Sequence, residues 1–110
     1  MTNPAEPRLR SATEDDVPLI LSFIEELAEY ERLRHEVVAT EASLRETLFG
    51  PRRYAEVVIA ELEGEAVGFA LFFHNYSTFL GRPGLYLEDL YVRPEARGRG
   101  IGRRLLVHLA

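Results

Sequence analysis

The segment from Leu85 to Leu109 constrains the fold more than any other part of the chain. The run Leu85–Val92 is typical of a strand, and Pro94 stops it. A glycine-rich stretch follows, and from about Gly100 a helical pattern places apolar residues on one side: Ile101, Leu105, Leu106 and Leu109. This order predicts a strand, a glycine-rich turn and a helix.

The turn itself reads Arg97-Gly98-Arg99-Gly100-Ile101-Gly102. Between a strand and a helix, backbone N–H groups of the loop and the first helical turn point at one spot, which attracts phosphate. Glycines keep Cβ atoms away from those amides, and Arg97, Arg99 and Arg103 add positive charge. The spacing matches neither a dinucleotide fingerprint nor a Walker loop. A glycine-rich turn without a ligand is the alternative.

The first half of the chain predicts one strand and two helices. Leu9–Ser11 is a short strand candidate, and Thr13, Asp15 and Asp16 are candidate helix caps before Pro18. A one-sided apolar pattern then predicts a helix to about Tyr30, on Val17, Ile20, Leu21, Ile24 and Leu27. After a loop over 32–39, Thr40 caps a second helix that ends near Phe49, with Leu44 and Leu48 facing inward.

The second half predicts a hairpin before the glycine-rich unit. Tyr54–Leu62 and Glu65–His74 are strand-like runs joined by a turn at Glu63-Gly64, so they should pair antiparallel. A loop with Gly81, Pro83 and Gly84 then leads to the strand 85–92. The expected order is strand, helix, helix, three strands and a helix, in one α/β domain over residues 1–110.

Composition narrows the class of protein. The chain has 110 residues, 46% of them hydrophobic, which suits one domain. There is no cysteine, and all 13 Lys+Arg residues are arginine, which removes disulfides, thiolate metal sites and lysine nucleophiles. A net charge of -5 argues against nucleic-acid binding. The scattered histidines His35, His74 and His108 lack metal-ligand spacing, so no metal is expected. No segment looks membrane-spanning, and we expect a cytoplasmic protein.

The pattern Arg97-x-x-Gly100-x-Gly102, placed directly after Leu90-Tyr91-Val92-Arg93-Pro94, closely resembles the acetyl-CoA signature (Gln/Arg)-x-x-Gly-x-(Gly/Ala) of the GNAT superfamily of N-acetyltransferases. Three shorter stretches resemble its diamine branch, which includes spermidine/spermine and thialysine acetyltransferases: Glu26-Leu27-Ala28-x-Tyr30-Glu31, Phe49-Gly50 and Tyr86-Leu87-Glu88-Asp89. The resemblance implies the acyl-CoA N-acyltransferase fold, a mixed, mostly antiparallel sheet flanked by helices.

The resemblance also implies site residues. Main-chain groups of Leu90, Tyr91 and Val92 would hold the acetyl and pantetheine part of acetyl-CoA, the cosubstrate. The pyrophosphate would lie on Arg97 and the residues after it: Gly98, Arg99, Gly100, Ile101, Gly102 and Arg103. Tyr30 and Glu31 match positions that line the amine pocket, and Glu88 matches the acidic residue beside the reacting amine.

Glu88 is the candidate catalytic residue. An alkylamine with a pKa of about 10.4 is almost fully protonated at neutral pH, so an amine that attacks a thioester needs a route for proton removal. Glu88 could supply that route through water. The alternative is an exposed surface carboxylate, and Tyr30 and Glu31 could likewise be surface residues. Asp89 is expected to be structural or electrostatic, and Glu25, Glu26 and Glu29 to form a solvated helix face.

Tyr76 and Phe79 are expected in the loop after the third strand. They either flank the substrate channel or have a packing role.

Members of the superfamily continue past the last helix found here with further strands and a helix, and that part supplies a tyrosine general acid. We therefore expect a chain that is incomplete at its C-terminal end, and we name no general acid. A homodimer is expected, in which a partner chain could cover the edge of the fourth strand.

The leading functional expectation is direct transfer of an acetyl group from acetyl-CoA to a primary amine of a small diamine, polyamine or thialysine-like substrate. One alternative is an acetyltransferase for another amine, such as an amino acid, an antibiotic or a protein N-terminus. The other is a non-catalytic acyl-CoA-binding fragment.

Overall fold

The computed structural model describes residues 6–110 and contains one four-stranded antiparallel sheet. The strands lie in the order of the chain: β1 (Arg8–Ser11), β2 (Glu56–Leu62), β3 (Glu65–Ser77) and β4 (Arg82–Val92). The helices are α1 (Val17–Tyr30), α2 (Glu41–Phe49) and α3 (Ile101–Leu109). The expected order of strands and helices is confirmed, and every strand pair among these residues is antiparallel. None of the helices described is long and apolar enough to cross a membrane.

Helix starts follow the predicted capping chemistry. Thr13 and Asp16 form a reciprocal capping box ahead of α1, with the Thr13 N–H donating to the Asp16 carboxylate at 2.8 Å. The Thr40 hydroxyl accepts the Ser43 N–H at 3.1 Å at the start of α2. The Thr40 bond satisfies one of the N–H groups that a helix cannot bond internally.

The sheet is covered on both faces. On one face, α1 and α2 pack against the sheet through the buried residues Val17, Ile20, Phe23, Leu44, Leu48, Val57, Ile59, Phe69 and Tyr91. On the other face, α3 packs through Val58, Ala60, Val67, Ala70, Phe72, Ala96, Ile101 and Leu105. Neighbouring residues such as Val57 and Val58 belong to opposite faces because strand side chains alternate. Leu106 was expected on the buried side of α3, but it is 46% exposed, which corrects that prediction.

The hairpin formed by β3 and β4 is longer than the sequence predicts. β3 extends to Ser77 rather than His74, so Tyr76 lies in a strand and not in a loop. β4 begins at Arg82, and Pro83 pairs opposite Tyr76. Proline is tolerated here because β4 pairs only with β3 among the described residues, so its missing N–H costs no bond on the outer side. The predicted loop is reduced to a turn that contains Phe79, which is fully exposed.

Gly68 allows β3 and β4 to approach closely beside the glycine-rich unit. A Cβ atom at Gly68 would lie 2.6 Å from the Tyr91 carbonyl oxygen and 3.2 Å from the Val92 Cα. Because both are backbone atoms that cannot rotate away, we expect Gly68→Ala to lower the free energy of unfolding by about 1–3 kcal/mol in urea denaturation. Gly102→Ala is the control, since its Cβ would only reach ordinary contact distance, 4.0 Å. A Gly68→Ala protein as stable as wild type would contradict this account of the packing.

Candidate functional site

The glycine-rich turn presents a row of free backbone amides. Gly98 and Gly100 have φ angles of 83° and 75°, the left-handed region that favours glycine, and Gly100 is the N-cap of α3. Within the part of the chain that the structure describes, the N–H groups of residues 98–103 form no well-aligned hydrogen bond with a backbone or side-chain acceptor. A Cβ at Gly98 or Gly100 would meet no protein atom within 4 Å, so the space beside these amides is open. The turn can therefore accept an anion such as a diphosphate.

A cleft of about 420 Å³ joins this turn to the end of β4 and to α1. Its lining contains most of the residues predicted to bind the cosubstrate, together with Leu27 and Ala96, to which the sequence analysis gave no role in the site: Leu27, Tyr30, Leu90, Tyr91, Val92, Ala96, Arg97, Gly98, Gly100, Ile101 and Gly102. Leu90 and Val92 pack toward α3, and Tyr91 packs toward α1. The open edge of β4 thus meets the free amides in one depression.

Arg97 contacts the floor of the cleft. Its Nε donates to the Val92 carbonyl at 2.8 Å, and its guanidinium lies 4.8 Å from the Tyr30 ring centroid and 5.7 Å from that of Tyr91. Both positions are within the range of cation–π attraction. Arg97 therefore links the end of α1 to the end of β4, a contact that the motif alone did not predict.

A second basic depression of about 590 Å³ lies on the other side of the turn. Its lining consists of Leu9 from β1, two residues of the turn and four residues along α3: Arg99, Gly100, Arg103, Arg104, Val107 and His108. Arg99 and Arg103, predicted to bind phosphate, thus lie here rather than in the cleft. The two depressions share Gly100.

A β-bulge sets Glu88 apart from its neighbours. Leu71 pairs with Asp89 and Phe72 pairs with Leu87, so Glu88 has no residue opposite it on β3. Glu88 is exposed, whereas Leu87 and Asp89 on either side are half-buried. Bulges reorient side chains and are common beside active sites. The local sequence does not predict this bulge, because the bulge depends on the register between β3 and β4, which come from separate segments of the chain.

Three carboxylates gather where α1 ends. Glu31 is the C-cap residue of α1, and together with Glu88 it acts electrostatically on Asp89. Burial, followed by the negative charges of Glu88 and Glu31, raises the pKa of Asp89 above its ordinary value of 3.8. The predicted amine-pocket residue Glu31 and the predicted catalytic residue Glu88 are thus brought into the same electrostatic environment. Within residues 6–110 no three acidic or histidine side chains form a metal-ligand group.

The raised pKa of Asp89 has a consequence for stability. An acid whose folded-state pKa is raised destabilises the fold where it is ionised in both states, so Asp89→Asn should raise the melting temperature at pH 7. The advantage should shrink as pH falls through the raised pKa and vanish below 3.8, where both states are protonated. Melting curves from pH 7 to pH 4 measure the difference in melting temperature between Asp89→Asn and wild type. Glu65→Gln, at an exposed position, is the control. A gain in melting temperature of Asp89→Asn that grows toward low pH would contradict a raised pKa at Asp89.

One sequence prediction about α1 is wrong. Glu26 was expected on a solvated face with Glu25 and Glu29, but its carboxylate accepts hydrogen bonds from Tyr91 at 3.2 Å and from Arg93 at 3.0 and 2.9 Å. Arg93 lies 67 residues away, and no local pattern reports such a contact. Glu25 forms a surface ion pair with Arg34 at 2.7 Å, and Glu29 is exposed.

Comparison with known proteins agrees with this geometry. The model of the acetyltransferase (GNAT) family matches residues 20–110. The chain is 40% identical to mouse thialysine N-epsilon-acetyltransferase over 96% of its own length and 66% of that protein. It is 31% identical to L-ornithine N5-acetyltransferase NATA1 of Arabidopsis thaliana over 94% of the chain and 65% of that protein. It thus spans slightly less than two thirds of these curated relatives.

Solved structures show the same fold. An integron cassette protein from the mobile metagenome of Cole Harbour Salt Marsh superposes with a TM-score of 0.78 at 24% identity, over 92% of this chain and 66% of that one. At this identity the likeness concerns the fold alone.

Proposed function

Because the chain belongs to the acetyltransferase (GNAT) family, we propose that it binds acetyl-CoA in the cleft between β4 and α3 and transfers the acetyl group to a primary amine of a small diamine or thialysine-like molecule. The single observation that carries the proposal is the row of free amides at residues 98–103, which opens into a cleft floored by the end of β4. The named activities of the thialysine and ornithine relatives support the choice of an amine acceptor.

The residues fit the cosubstrate. A diphosphate needs several N–H donors without intervening side chains, and Gly98 and Gly100 leave that space open. Arg99 and Arg103 line the adjoining basic depression and can bind further phosphate charge. The cleft at the end of β4 is lined mostly by apolar side chains, as an acyl-pantetheine arm requires.

The proposed transfer is direct. The unprotonated amine nitrogen attacks the thioester carbonyl carbon, a C–N bond forms, and the C–S bond breaks with its electron pair remaining on sulfur. In this proposal, a backbone N–H at the end of β4 stabilises the developing oxyanion. Glu88 accepts the amine proton through water, and the absence of cysteine and lysine agrees with a reaction without an acyl-enzyme.

The carboxylates Glu31, Glu88 and Asp89 favour an acceptor with more than one amino group. Mutual repulsion raises the pKa of Asp89, and a cation placed among the three groups would relieve it. An amino acid, an antibiotic or a protein N-terminus is the second class of acceptor. A cytoplasmic location and a homodimer complete the proposal.

A thiol-release assay tests the function. Coenzyme A production from acetyl-CoA is followed with a panel of diamines, thialysine, ornithine and matched monoamines, and we expect release with diamines to exceed release with monoamines. Calorimetry with coenzyme A runs beside it. Binding without release for any amine would reject catalysis and favour a binding module, whereas the absence of binding would reject the proposal as a whole.

A further inference from the structure

The carboxylate of Glu26 is the centre of a hydrogen-bond network between α1 and the end of β4. It accepts from Ser22 Oγ at 3.1 Å, Tyr91 Oη at 3.2 Å, and Arg93 Nε and Nη2 at 3.0 and 2.9 Å. The two bonds from Arg93 form a bidentate pair, the strongest geometry for an arginine and a carboxylate. The charge of Glu26 is therefore compensated inside the protein.

Arg93 fixes the chain directly after the cleft-lining residue Val92. Its Nη1 donates to the Ala66 carbonyl at 3.1 Å, and its backbone N–H donates to the Val67 carbonyl at 2.7 Å. The guanidinium lies 4.7 Å from the ring centroid of Phe23 on α1. One side chain thus joins α1, β3 and the end of β4.

The pKa shifts of Glu26 and Tyr91 follow from the charges and hydrogen bonds of this network. Burial acts to raise the pKa of Glu26, but the hydrogen bonds and charge of Arg93, with the Ser22 bond, outweigh it and lower the pKa below 4.5. Burial and the Glu26 charge raise the pKa of Tyr91. At neutral pH the network therefore consists of an ionised Glu26, an ionised Arg93 and a neutral Tyr91.

We propose that Glu26 is a positioning residue for the cosubstrate: acting through Arg93 and Tyr91, it holds the main chain of Tyr91 and Val92 in the position that forms the wall of the cleft. The inference rests on the proposed function, because the groups it positions are those assigned to the acetyl-pantetheine arm. Glu26 touches neither the cleft nor the free amides. Its effect on binding must therefore pass through Tyr91 at the end of β4 and Arg93 directly after it.

The test compares Glu26→Gln with Glu29→Gln, an exposed glutamate on the same helix. Coenzyme A affinity is measured by calorimetry at 25 °C on variants whose amide spectra show a folded chain. We expect Glu26→Gln to weaken coenzyme A binding about tenfold and Glu29→Gln to leave it unchanged. The amide resonances of Tyr91 and Val92 should shift in Glu26→Gln before any ligand is added.

A double-mutant cycle separates positioning from a general loss of stability. If Glu26 acts through Arg93, the loss of affinity in the double variant Glu26→Gln/Arg93→Met should be smaller than the product of the two single losses, whereas two independent effects would multiply. Arg93→Lys keeps the charge but loses the bidentate pair, and it replaces Glu26→Gln in the test if that variant does not fold. Its affinity for coenzyme A should fall between those of wild type and Arg93→Met.

The outcomes are distinguishable. If the wild-type chain binds coenzyme A and Glu26→Gln binds it with undiminished affinity, the positioning role is overturned and the proposed function remains intact. The same holds if the effects of Glu26→Gln and Arg93→Met on affinity multiply. If Glu26→Gln does not fold, undiminished affinity in Arg93→Lys overturns the role in the same way. A folded wild-type chain that binds no coenzyme A would overturn both.

Discussion

Glu88→Gln is expected to lower the rate of thiol release with a diamine by about 10²- to 10⁴-fold, the usual contribution of a positioned general base. Coenzyme A affinity should not change, because Glu88 is not among the residues that line the cleft. The melting temperature should stay the same or rise slightly, since Glu88 is exposed at the bulge, has no partner opposite it and repels Asp89.

Two controls make this prediction specific. Glu65→Gln removes an exposed carboxylate at the start of β3, whereas Glu88 lies at the bulge opposite Leu71 and Phe72 of that strand, and this variant should leave the rate unchanged. Raising the pH toward the amine pKa of about 10.4 supplies unprotonated amine without a base, so the deficit of Glu88→Gln should shrink there. A Glu88→Gln protein with nearly wild-type turnover at pH 7 would show that Glu88 does not receive the proton.

Gly100→Ala is expected to weaken coenzyme A binding about 10- to 100-fold, which corresponds to the loss of one or two hydrogen bonds to a charged phosphate. The new Cβ meets no protein atom, but it occupies the space beside the free amides that the diphosphate would take. A side chain at φ 75° also strains the N-cap of α3.

Gly64→Ala is the matched control. Gly64 has a φ of 84° in the turn between β2 and β3, and its Cβ would likewise meet no atom within 4 Å. The backbone strain is therefore similar, while the glycine-rich turn is untouched. Equal losses of coenzyme A affinity in the two variants would mean that strain, and not blocked amides, is responsible. Isothermal titration calorimetry of both variants with coenzyme A distinguishes these two explanations.

The strand, glycine-rich turn and helix could be predicted because their signals are local. The apolar run that Pro94 ends, the glycines at 98, 100 and 102, and the spacing of Ile101 and Leu105 each specify backbone geometry within a few residues. The caps at Thr13 and Thr40 are local for the same reason. Such features survive in the folded protein because tertiary contacts support rather than oppose them.

The early start of β4 could not be predicted, because Pro83 and Gly84 are ordinarily turn residues. They lie in a strand here since β4 pairs only with β3 among the described residues, and an edge position tolerates a missing N–H. The bulge at Glu88 escaped prediction for a different reason. It depends on the register between β3 and β4, which two separate segments set together.

The network around Glu26 shows a limit of sequence patterns at the site itself. A run of glutamates on a helix predicts a solvated face, and Glu25 and Glu29 follow that rule. Glu26 departs from it because Tyr91 at the end of β4 and Arg93 directly after β4 hydrogen-bond to its carboxylate. The spacing of Ser22 and Glu26 allows an i,i+4 hydrogen bond, but this alone does not indicate the pairing with β4.

Titration of the isotopically labelled chain with coenzyme A, followed by amide resonances, tests the central claim most directly. We predict saturable shifts at residues 90–92 and 98–103, where the end of β4 and the free amides meet in the cleft. A folded chain whose amides at these positions do not respond to millimolar coenzyme A would contradict the proposed site and the function built on it.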